Sequence, residues 1–284
     1  MSRCSQGAEG HPSGTGRGLG RCETRNDGGV SSLPEFVIFD LDGTIADSQE
    51  GILYSFRLTL DELGIARSDD ELRHLIGPPL EESFRSLGID GDALGPVVDR
   101  YRDFYGRFGV QRAQLYEGIH ETLRVLEESE VLMGVATAKR VDFAHEMLET
   151  LGVASYFRTI AGVSFDDSLT TKKQVLNEVL EFFQPPRRRR VWMVGDRQQD
   201  VLASIFHGVV PIGVLWGYGS RDELDTSGAE YIVDDPRDLL ELGVDTGGGD
   251  SACFANLLCP RCGAVSGGAT VCASCGLAIS EYVE

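Results

Sequence analysis

Two aspartates one residue apart, Asp40 and Asp42, close an apolar run in the stretch FVIFDLDGTIADS, and Gly43 and Thr44 follow them. A carboxylate is expensive to bury without a partner, so the pair is either a solvated turn or the seat of a cation. Other apolar runs in the chain also end in polar residues. Thr137 closes one in GVATAKR, and Asp196 closes another in VWMVGD, with Asp200 one helical turn later in GDRQQD. Lys172 stands at the start of a helical pattern in SLTTKKQVL, beside Lys173. Far along the chain, Cys259, Cys262, Cys272 and Cys275 form two C-x-x-C pairs, each trailed by a glycine.

The first group of residues describes phosphoryl transfer. One carboxylate attacks phosphorus and forms an acyl phosphate. A second carboxylic acid protonates the leaving oxygen, then takes a proton from the water that resolves the intermediate. Several carboxylates and a phosphate share a pocket only with a cation among them, and Mg2+ takes oxygen ligands of both kinds. A lysine and a threonine hydroxyl would hold the remaining phosphate oxygens, and Gly43 permits a tight turn and a close backbone approach.

The cysteine group describes a different metal. Two C-x-x-C knuckles present four thiolates to one tetrahedral Zn2+, and the glycine after each pair permits the backbone turn. The pattern resembles a zinc ribbon in which protein fills all four positions, a structural site. A redox-active C-x-x-C pair normally opens a helix in a βαβ setting, which is absent there. Disulfides suit a chain without a secretion signal poorly.

These residues need a scaffold. Apolar runs at 36–40, 132–137, 159–163, 191–195, 210–215 and 231–233 are continuous rather than alternating, as in strands buried on both faces of a parallel sheet. Amphipathic patterns lie between them, such as Val175, Leu176, Val179, Leu180 and Phe183 at helical spacing. The alternation predicts a doubly wound α/β domain, whose ligands bind outside the carboxyl ends of the strands. Residues 47–114 hold helical runs and no convincing core strand, so they read as a small helical cap inserted after the first strand, dividing a core of 34–46 and 115–243. Residues 1–33 hold eight glycines and little apolar content, which predicts a disordered leader rather than a secretory signal. Residues 244–252 read as a flexible Gly-rich linker and 253–284 as the separate zinc module.

Composition bounds the partners. A formal charge of −19 argues against binding a nucleic-acid polymer, which needs clustered Lys and Arg. No apolar run approaches a membrane span. The expected setting is the cytoplasm, with a small phosphorylated metabolite as substrate and a protein partner for the cysteine module.

The strand-end motifs together resemble the haloacid dehalogenase-like superfamily of aspartate-nucleophile phosphatases, over roughly residues 36–242. The resemblance implies Asp40 as nucleophile and Asp42 as acid/base. It implies Thr137 and Lys172 as phosphate binders, and Asp196 as Mg2+ ligand with Asp40 and the backbone carbonyl of Asp42. Asp200 supports the metal or orients its ligands. The helical insertion matches the family's C1 cap, and Asp42 argues for phosphate chemistry, because the dehalogenases lack an acid at that position. IGPPLEESF (76–84) and GVLWGYGSRDEL (213–224) are similar to the phosphoglycolate phosphatase and 5'-nucleotidase branch, which implies a nucleoside 5'-monophosphate or phosphoglycolate-like substrate. Two departures leave that choice open: Ala138-Lys139-Arg140 stands where the branch usually has Ser-Lys-Pro, and Thr171 where a His is common. A phosphomutase shares Asp40 and Asp42, and a partner-binding protein that works through its cysteine module is the rival outside enzymes.

Overall fold

Six apolar runs of the sequence become the strands of one sheet in a computed structural model, which describes residues 33–77, 80–164 and 169–242. In chain order the strands are β1 (Phe36–Phe39), β2 (Ala46–Asp47), β3 (Gln114–Leu115), β4 (Leu132–Arg140), β5 (Phe157–Val163), β6 (Val191–Gly195), β7 (Val210–Val214) and β8 (Tyr231–Val233). All but β2 and β3 join the sheet, in the order β5-β4-β1-β6-β7-β8, and every neighbouring pair is parallel. Counting only sheet strands, this is the order 3-2-1-4-5-6 of a doubly wound fold. Its topological switch point lies at β1, where ligands collect in such sheets.

β1 shows why its run is apolar throughout. Val37 and Phe39 face a core built with Leu123 and Leu126 of α5 (Ile119–Glu128) and with Met147 and Leu148 of α6 (Val141–Thr150). Phe36 and Ile38 face the opposite core, with Val175, Leu176 and Val179 of α7 (Lys172–Phe183) and Ala203 of α8 (Gln198–His207). Successive side chains point to opposite faces, and both faces are covered. Each fully buried aliphatic side chain of this kind contributes about 1.5–3 kcal/mol.

Between β2 and β3 run the helices α1 (Gln49–Glu62), α2 (Asp69–Leu72), α3 (Leu80–Ser86) and α4 (Leu94–Phe104), then a π-helical turn at Tyr105–Gly109. Their interior includes an aromatic cluster, with Phe56 4.6 Å from Tyr101 and 5.2 Å from Phe84 between ring centroids. β2 and β3 pair as a short antiparallel ribbon, Ala46 opposite Leu115 and Asp47 opposite Gln114. The chain therefore leaves the sheet domain and returns to it at one place.

β4 runs to Arg140, three residues beyond the expected end. Ala136 pairs with Ala161 and Arg140 with Val163, so three residues of β4 lie opposite one of β5. Such a bulge re-aims side chains, here those of Thr137 and Lys139. Gly162 is the residue opposite, where a side chain would run into the Lys139 carbonyl. Among the described residues no helix is long and apolar enough to cross a membrane. The four cysteines expected to form a zinc ribbon, the expected linker and nearly all of the expected leader lie outside the described residues.

Candidate active site

Asp40 is the first residue beyond β1, and its N–H donates to the Val194 carbonyl of β6 at 2.8 Å. That bond extends the ladder by one residue and fixes the carboxylate at the switch point. Asp40 Oδ1 accepts from the Leu41 N–H at 2.7 Å and lies 2.7 Å from Lys172 Nζ. Oδ2 has no hydrogen-bond partner among the described residues.

Lys172 reaches this point because it is the first residue of α7, which Thr171 caps. The Thr171 hydroxyl accepts from the Gln174 N–H at 3.3 Å, and the Gln174 side chain accepts from the Thr171 N–H at 3.1 Å. The buried Lys172 ammonium donates to the Ala136 carbonyl at 2.9 Å and lies 2.8 Å from Asp200 Oδ1. Burial alone would lower its pKa, but Asp200 and Asp40 outweigh burial and hold it above the usual lysine value. Lys173, the alternative, instead places its ammonium over the Phe206 ring.

Asp196 closes β6 and Asp200 stands in the first turn of α8. Ligand oxygens of Asp40, Asp196 and Asp200 all lie within 4.8 Å of one another, and all three residues are buried. Asp196 Oδ2 accepts from the Tyr218 N–H at 2.7 Å. Its Oδ1 is buried with no hydrogen-bond partner among the described residues. Asp200 Oδ2 accepts from the Arg197 N–H at 3.1 Å. Burial, then the charges of Asp200 and Asp40, push Asp196 up to about 8. Burial likewise pushes Asp40 up, with Lys172 pulling against it.

Three carboxylates thus cluster with one ammonium that pairs with two of them, and Asp196 Oδ1 is left an orphan among the described residues. An unpaired buried acceptor costs about 1–3 kcal/mol, and more when charged. A hard cation with oxygen ligands satisfies both conditions, and the all-oxygen donor set fits Mg2+. Asp40, Asp196 and Asp200 are the side chains positioned to hold it.

Asp42 stands apart from that triad. Its Oδ1 accepts from the Ser48 hydroxyl, and its Oδ2 lies 3.0 Å from Lys139 Nζ. The Ser48 N–H donates to the Tyr218 phenol at 3.0 Å, and that phenol donates to Asp47 Oδ1 at 3.2 Å. The buried Thr137 hydroxyl accepts from the Lys139 N–H at 3.1 Å. Of the six residues singled out along the strand ends, Asp40, Asp196 and Asp200 cluster with Lys172 paired to two of them, while Asp42 and Thr137 both meet Lys139.

Comparison with known proteins identifies the family. Residues 37–214 match the model of the haloacid dehalogenase-like hydrolase family. The chain belongs to that family. This haloacid dehalogenase-like hydrolase is 36% identical over 213 residues to tyrosine-protein kinase PtkA of Mycobacterium tuberculosis, covering 73% of this chain and 72% of the relative. It is 35% identical over 190 residues to a 5'-nucleotidase of Pseudomonas aeruginosa, covering 66% of this chain and 86% of the relative. A phosphoglycolate phosphatase of Vibrio parahaemolyticus is 30% identical over 221 residues, 73% of this chain and 95% of that one. Among solved structures, a haloacid dehalogenase-like family hydrolase from Streptococcus pneumoniae superimposes with a TM-score of 0.68 at 30% identity, covering 74% of this chain and 97% of that one.

The contacts of Lys139, Ser48 and Tyr218 were not singled out from the sequence. Ser48 is six residues from Asp42, but Tyr218 lies 170 residues beyond Ser48 and no local pattern joins them. Lys139 carried two signals, its place two residues after Thr137 on the same strand end and its match to the lysine of the branch's Ser-Lys-Pro.

Proposed function

We propose that this chain is a Mg2+-dependent phosphomonoester hydrolase that works through a phosphorylated Asp40, on a small metabolite such as a nucleoside 5'-monophosphate or a phosphoglycolate-like acid. The observation that carries the reading is the asymmetry of the Asp40 carboxylate. Oδ1 is pinned by Lys172 and the Leu41 amide, while Oδ2 is free to attack.

The chain's own residues then divide the work. Asp40 Oδ2 forms a bond to phosphorus as the ester P–O bond breaks, and Asp42 gives its proton to the departing oxygen. Asp42 next takes a proton from water, whose oxygen attacks phosphorus, releases phosphate and restores Asp40. Lys172 and Thr137 hold phosphate oxygens in place. Mg2+, when bound by Asp40, Asp196 and Asp200, supplies charge stabilisation to the transferring group. The helices between β2 and β3 serve as the cap over this pocket, in the division into core and cap expected from the sequence. The relatives named 5'-nucleotidase and phosphoglycolate phosphatase support the substrate class.

A second reading has its own support, because a relative at 36% identity is named a tyrosine-protein kinase. The same phosphorylated aspartate passes its group to a hydroxyl instead of water if an acceptor occupies the pocket. The ratio of free phosphate to released alcohol separates the two readings. Hydrolysis gives one phosphate per alcohol with or without a tyrosine peptide or sugar phosphate present, whereas transfer gives less. Asp40→Asn tests both, since an amide cannot form the acyl phosphate: turnover should fall by on the order of 10⁴-fold or more with the melting temperature little changed. Activity within tenfold of the parent would refute the covalent route.

A further inference from the structure

Lys139 is a cation that the reaction described above does not use. Its side chain is only 8% exposed, so it needs compensation. Two groups provide it: Asp42 Oδ2 at 3.0 Å and the Tyr105 phenol oxygen at 2.7 Å. Tyr105 belongs to the π-helical turn of the inserted helices and is itself buried, stacked near Tyr101 and edge-on to Phe143 at 5.4 Å. Ser48 holds the other oxygen of Asp42. The carboxylate is thus clamped at both oxygens, one clamp reaching through Lys139 to the insert. Lys139 lies within the bulge of β4, between Ala136 and Arg140.

We infer that Lys139 is a positioning residue that fixes the plane of the Asp42 carboxylate for proton delivery, and that Tyr105 makes this hold depend on the seating of the helical insert. The inference rests on the acid/base role of Asp42 proposed above. Without Lys139, Asp42 keeps the Ser48 contact but turns freely about its last torsion, and the proton it carries is no longer aimed at the leaving oxygen. A leaving group that needs no proton is indifferent to that loss.

The test compares kcat/KM for a simple alkyl phosphate and for p-nitrophenyl phosphate. Lys139→Met should lower the alkyl value by on the order of 10²-fold, the lower range of general acid catalysis, and the aryl value by a few-fold at most. Lys139→Arg should recover part of the alkyl rate, and Tyr105→Phe should show a smaller loss of the same kind. In an Asp42→Asn background, Lys139→Met should add nothing. Equal losses on both esters would overturn the inference and assign Lys139 to substrate binding or to stability. The parent's own turnover separates this outcome from failure of the underlying reading. If the parent cleaves neither ester, the phosphatase reading fails and the inference falls with it.

Discussion

Gly43 lies against Asp196 so closely that a single added methyl would overlap the carboxylate, and the Gly43 backbone sits at φ +82°. The turn after Asp42 thus brings main chain from the first strand end onto the buried acid of the fourth sheet strand. Glycine serves twice here, by adopting a left-handed conformation and by leaving the space that Asp196 fills.

Gly43→Ala should therefore harm function more than stability. The backbone strain costs about 1–3 kcal/mol, a loss that a domain of this size survives. The methyl must also displace Asp196, which moves a ligand oxygen away from Asp40 and Asp200. Isothermal titration with Mg2+ should show weakened binding in a protein that still melts cooperatively. Unchanged Mg2+ affinity in the variant would show that the Asp196 carboxylate does not hold the ion.

Much of this arrangement was legible in the sequence, for a physical reason. A strand buried on both faces must be apolar throughout, so the six sheet strands stood out and their polar ends with them. Lys172 was distinguished from Lys173 only by resemblance, yet a local signal existed. Thr171 and Gln174 form a capping box that starts the helix at Lys172 and so points Lys172 at the strand ends. The β2–β3 ribbon was not legible, because strands of two residues have no periodicity and exist through their pairing across the insert. The clamp on Asp42 was hidden for the same reason: Tyr105 is 34 residues from Lys139, and only the fold brings them together.

The carboxylate cluster makes a prediction about metal with a readout besides turnover. Ligand oxygens of Asp40, Asp196 and Asp200 lie within 4.8 Å of one another, and Lys172 pairs with Asp40 and Asp200, so a bound divalent ion stabilises the folded state over the unfolded one. Millimolar Mg2+ should raise the melting temperature of the parent, and EDTA should reverse the rise and abolish activity. Asp196→Ala should remove nearly all of the Mg2+-dependent shift. Asp200→Ala removes a carboxylate that also pairs with Lys172, and should weaken Mg2+ by at least the roughly 10–100-fold of an outer-shell loss. A parent whose melting temperature and activity ignore both Mg2+ and EDTA would remove the metal from the site.

His207 supplies a prediction about pH. It ends α8, with one ring nitrogen 2.9 Å from the Lys173 carbonyl. Burial lowers its pKa below the usual value of 6.5, and the nearby Arg188 and Lys173 charges add to that against the pull of the Lys173 carbonyl. The unfolded chain therefore binds a proton at His207 more readily than the folded one. The contribution to stability is fully present above pH 6.5 and is lost as pH falls through the lowered folded value. Urea denaturation at pH 8 and at pH 5, with Mg2+ held constant, should show a drop in the midpoint for the parent. His207→Gln keeps a donor for the Lys173 carbonyl and removes the titration, so its drop should be smaller. Asp40 and Asp196, both raised by burial, titrate in the same range, but they do so in both proteins and cancel in the comparison. Equal drops for parent and variant would mean that His207 is as readily protonated in the folded chain as in the unfolded one.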